Sequence, residues 1–161
     1  MRKALLGVIL FAGAALVMCG SARAQSAFAG NEAFLNLLKS DIQKETTDII
    51  NRSMELSAEE AAAFWPIYNE YDQALDKLAD SRIKLIKEYS GLYSNISDEK
   101  ALELGKRWLD RLTEREKLRR EYFGKFAEAL SPAQALKVMQ IENRLELLID
   151  MQIAKELPMV E

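Results

Sequence analysis

The sequence predicts an all-α protein of four helices built around a long antiparallel helical hairpin. Three features point to it. Ser57, Ser97 and Ser131 each follow an apolar residue and precede a run of acidic or capping residues and alanine, the pattern of a helix N-cap. Behind each serine the apolar residues recur by threes and fours, the period of a helix and not of a strand. Glycine and proline number only 7 and 3 in 161 residues, too few for a loop-rich β-sandwich.

The N-terminal 24 residues stand apart. Met1, Arg2 and Lys3 form a basic head, residues 4–20 an uncharged apolar run, and Ser21-Ala22-Arg23-Ala24 a tail of mostly small residues. This is the pattern of a secretory signal cut after Ala24. Residues 1–24 are therefore expected to be a signal peptide and residues 25–161 an all-helical periplasmic domain. An uncleaved anchor is the alternative, because the run approaches membrane-spanning length. Cys19 is the only cysteine and would leave with the signal, and the chain has no histidine. The exported domain is thus expected to work without disulfides, thiolates, histidine triads or His- or Cys-ligated metal. No cofactor, metal or catalytic residue is assigned, and an enzyme is not expected.

A less distinct first helix is expected over residues 31–52, through Leu35, Leu38, Ile42 and Ile49. The second begins after Ser57, with Glu60 three residues on to complete a capping box. Its seam runs through Phe64, Tyr68, Tyr71, Leu75, Leu78, Leu85, Tyr89 and Leu92, with Arg82 filling one apolar position. At 1.5 Å per residue that helix is about 50 Å long. Pro66 lies inside it and predicts a bend there, not an end, because the seam continues in phase beyond it. The third helix, Asp98 to about Ala129, carries Leu102, Leu109, Leu112, Phe123, Phe126 and Leu130. The fourth opens at Pro132, with Ser131 and Gln134 forming a second capping box. It carries Val138, Ile141, Leu145, Leu148 and Ile149, and Pro158 stops it.

The charges are polarised. The whole chain has a formal charge of −3, and loss of Arg2, Lys3 and Arg23 with the signal would leave the domain more acidic. Yet the third helix carries Arg107, Arg111, Arg115 and Arg119 at i, i+4 spacing, joined by Lys106, Lys117, Arg120 and Lys125. Such a face can grip acidic peptides or phosphates. The competing structural reading is a zipper, since Asp72, Asp76 and Asp80 have the same spacing on the second helix. An antiparallel hairpin would set Asp80 against Arg111, Asp76 against Arg115 and Asp72 against Arg119. Nucleic acid is disfavoured as a partner by export and by the acidic balance. Glu116 and Arg82 interrupt apolar seams, as an internal network or as the lining of a groove.

Leu130-Ser131-Pro132-Ala133-Gln134 is a serine version of an L-T-x-x-Q motif, and Leu56-Ser57-Ala58-Glu59-Glu60 is a looser copy. Two such motifs in a small exported helical chain resemble the Spy/CpxP-type (LTxxQ-motif) family of periplasmic stress proteins. Residues 64–71, Phe-Trp-Pro-Ile-Tyr-Asn-Glu-Tyr, with Ile141-Glu142-Asn143-Arg144, look more like a separate branch of such proteins. The resemblance implies an ATP-independent chaperone of the stress response, a coiled-coil-like cradle for partly unfolded envelope proteins, with a homodimer as a compatible assembly. The expected client-binding residues are Arg107, Trp108, Lys117 and Arg120. A regulatory adaptor that binds a membrane stress sensor, or a structural envelope protein, is the alternative. The chain departs from zinc-responsive relatives in lacking histidine, and its acidic balance is unlike a cationic cradle.

Overall fold

The computed structural model describes residues 46–160. The described part of α1 spans residues 46–54, followed by α2 (Ala58–Ser90), α3 (Asp98–Ala129) and α4 (Pro132–Glu156). The fold is all-α, as the periodicity predicts. The expected signal peptide, its cleavage after Ala24 and the stretch of the first helix before residue 46 lie outside the described residues. Pro66 sits within α2 without ending it.

Each serine caps its helix. The Ser57 Oγ accepts the Glu60 N–H at 3.2 Å, while the Glu60 carboxylate accepts the Ser57 N–H at 2.8 Å. Ser131 and Gln134 repeat the exchange at 3.2 and 2.9 Å. The two boxes lie side by side, because Gln134 Nε2 donates to Glu60 Oε1 at 3.0 Å. Each motif thus satisfies orphan N–H groups of its own helix and also joins the starts of α2 and α4. Ser97 caps α3 through the Lys100 N–H at 3.3 Å, without a reciprocal partner. Between α1 and α2, Glu55 takes φ 49°, a left-handed conformation that lets the chain turn from one helix into the next cap.

Residues early in α2 meet residues late in α3, so the two form the expected antiparallel hairpin. Phe64 lies 5.2 Å from Phe126 and Tyr71 lies 5.1 Å from Tyr122, centroid to centroid. At the other end Arg107 bonds Glu88 at 2.6 Å. α4 returns along α3 and runs parallel to α2, with polar bridges along its length. Tyr68 reaches Glu142, Arg82 reaches Asp150 at 2.6 Å, and the Tyr89 hydroxyl donates to the Pro158 carbonyl at 2.6 Å.

The main core sits at the end where the capping boxes meet. Phe64, Tyr68, Tyr71, Tyr122 and Phe126 are buried with Ile50, Met54, Leu130, Ala135 and Val138. Burial of each large side chain there is worth about 1.5–3 kcal/mol. α1 is tied to this end by Ile50 and Met54 and by Lys137 Nζ, which donates to the Ser53 carbonyl. A second, smaller cluster of Ile86 and Ile153, backed by Ile83, Ile149 and Leu157, closes the other end. Between the two clusters the interior is polar.

Candidate functional site

The basic row of α3 is not one surface. Arg111 is buried, and Arg115 and Arg119 are partly buried. Arg115 Nε lies 2.7 Å from Glu146 Oε2, and Arg119 lies 3.4 Å from the same oxygen. Arg119 also donates to Asn143 Oδ1 at 3.3 Å. The partner of these two arginines is therefore a carboxylate of α4, in place of the expected Asp76 and Asp72. Arg111 has no ion pair among the described residues, so the expected Asp80–Arg111 pair is not formed. The zipper fails because it considered two helices only. α4 packs on the same stripe of α3 and brings Glu146 into the layer.

The residues expected to bind clients do not share a face. At about 100° per residue, Trp108, Arg120, Lys117 and Arg107 follow one another around α3 at intervals of about 60–120°. Arg107 is held by Glu88 and by Glu103, the latter at 3.0 Å. Lys117 pairs with Glu114 at 2.7 Å while staying exposed. Lys125 pairs with Glu121 at 2.8 Å and lies 4.1 Å from the Tyr122 ring. Trp108 is 51% exposed. Lys106 and Arg120 are exposed, with no carboxylate at ion-pair distance among the described residues.

What does form a face is apolar. Leu102, Leu109, Leu112 and Phe123 of α3 are exposed and fall within an arc of about 80° around the helix. Leu136, Leu147 and Met151 of α4 are exposed as well, within an arc of about 60°. One residue of each arc, Phe123 and Leu136, lines an open groove together with Glu116, Arg120, Met139 and Arg144. Leu148, expected in the seam of the fourth helix, is exposed too. The α4 part of this face was missed in the sequence, although the signal is there. Leu136, Gln140, Asn143, Leu147 and Met151 advance by threes and fours as a second seam beside the buried one.

The polar layer between the two clusters holds the second notable arrangement. The Tyr68 hydroxyl donates to Glu142 Oε1 at 2.6 Å, with both residues buried. Burial pushes the Glu142 carboxyl above the usual range, and the Tyr68 hydrogen bond and Arg115 pull it back only in part. Burial and the neighbouring Glu142 likewise push the Tyr68 phenol well up. Arg111 is drawn below its ordinary value by burial first, then by Arg82 and Arg115. Arg82, Arg111, Arg115, Glu142 and Glu146 all line a cavity of about 120 Å³ that Ile83, Ile86, Ile149 and Ile153 line as well. Arg82, flagged in the sequence as an interruption, is thus part of an internal network, while Glu116 lines the outer groove.

No family model, curated protein or solved structure matches the chain. Among the described residues no helix is long and apolar enough to cross a membrane.

Proposed function

We propose that this is an exported, ATP-independent chaperone-like protein that binds partly unfolded envelope proteins in the periplasm. The observation that carries the reading is the outer face of the α3–α4 hairpin. Large apolar side chains are exposed on both helices, Leu109 by 55% and Leu147 by 58%, and Phe123 and Leu136 line a groove between the helices together with Arg120 and Arg144. Isolated exposed leucines are ordinary, but a contiguous apolar strip on a small protein marks a surface made for contact. The strip has no deep, specific pocket, which suits loose contact with many unfolded segments. The flanking cations favour segments carrying acidic residues and speed their capture.

Export rests on the basic head, apolar run and small-residue tail of residues 1–24. Of the residues first expected to bind clients, this reading retains Arg120 on the face and Trp108 beside it. Arg107 serves the end of the α2–α3 hairpin through Glu88.

The test follows aggregation of a chemically unfolded protein by light scattering, with the purified protein and no ATP. Suppression near stoichiometric ratios, weaker at high salt because the cations are exposed, is the expected result. No suppression at any ratio overturns the reading and turns attention to a single regulatory partner.

A further inference from the structure

Arg111 is the unusual residue of the interior. It is 7% exposed, its Nε is buried without an acceptor, and no carboxylate pairs with it among the described residues. Its neighbours are already engaged: Glu146 with Arg115 and Arg119, and Asp150 with Arg82. A buried guanidinium left without an acceptor is costly, and proteins ordinarily pair such a group. Here the guanidinium lines a cavity of about 120 Å³ among residues of α1, α2, α3 and α4.

We propose that this cavity binds a small amphipathic carboxylate, its charged end on Arg111 and its short apolar tail against Ile83, Ile86, Ile149 and Ile153. Size, charge and polarity each narrow the ligand. A cavity of about 150 Å³ holds a benzene ring, so this one takes on the order of six heavy atoms. Asp72, Asp76, Glu142 and Glu146 also line it, which disfavours a phosphate dianion and limits the ligand to a single negative charge. Arginine and isoleucine side chains both line the cavity, so neither a bare ion nor a neutral hydrocarbon satisfies both. A carboxylate also matches guanidinium geometry, with two oxygens for parallel N–H donors. The site is separate from the outer apolar face, so it stands or falls independently of the client-binding reading.

The test titrates the full protein with butyrate, acetate and 1-butanol near neutral pH and follows amide shifts by NMR. Butyrate should give saturable shifts around Arg111 and Ile149. Acetate lacks the tail and 1-butanol lacks the charge, and each should bind at least tenfold more weakly. Arg111→Met should abolish the butyrate shifts, whereas Arg107→Met, at an exposed ion pair outside the cavity, should leave them in place. Equal binding of 1-butanol, absence of saturable binding, or butyrate shifts that persist in Arg111→Met would each overturn the site. The three-ligand comparison needs no variant, so the proposal is tested even if Arg111→Met fails to fold.

Discussion

Burial of Glu142 ties pH to stability, with its Tyr68 hydrogen bond opposing the shift only in part. The carboxyl is buried and its affinity for a proton is raised in the fold, so the folded chain holds a proton that the unfolded chain has released. Stability from this group is complete below the ordinary carboxylate value of 4.5 and is lost as pH rises through the raised folded value. Glu142→Gln keeps an acceptor for Tyr68 and removes the charge. It should raise the melting temperature more at pH 7.5 than at pH 4.5, and an equal shift at both would contradict the burial argument. Arg111 invites the complementary change. Replacing an unpartnered buried guanidinium with Met should stabilise the protein by about 1–3 kcal/mol in urea unfolding. A loss of stability would mean that the arginine is satisfied in the native protein. The Tyr68–Glu142 pair was not legible in the sequence. Glu142 was read only within an Ile-Glu-Asn-Arg string, and its partner lies 74 residues away.

Helix boundaries were the most legible feature, because local chemistry sets them. Ser57, Ser97 and Ser131 announce α2, α3 and α4, and the capping boxes form as read. The link between the boxes was not legible, since it depends on α4 returning beside α2. Ser131→Ala should cost about 1 kcal/mol through the lost cap, measured by chemical denaturation. A double-mutant cycle on Glu60→Ala and Gln134→Ala should show coupling between the two, and strictly additive effects would mean the boxes act separately. The seams of α3 and α4 were harder to read. Each helix has two apolar stripes, and periodicity shows that a stripe exists without showing which one is buried. Leu104, Tyr122 and Phe126 went inward, while Leu102, Leu109 and Leu112 stayed outside. The aspartate–arginine zipper failed for a related reason. Matching spacing on two helices leaves out the carboxylate that a third helix supplies.

For the molecule as a whole, three helices divide the work between two surfaces. α2 and the inner stripes of α3 and α4 enclose an aromatic core, a polar layer and a small aliphatic cluster. The outer stripes of α3 and α4 remain open and apolar. The acidic balance, −3 over the chain, favours solubility despite that strip. If the strip holds clients, the double variant Leu109→Ser, Leu147→Ser should weaken their capture. Both side chains are more than half exposed, so helical circular dichroism and the melting temperature should stay close to those of the unmodified protein. In the light-scattering assay the variant should need several times more protein to suppress aggregation of the same unfolded client. Suppression at the unmodified ratio, with the fold intact, would remove the α3–α4 face as the client site.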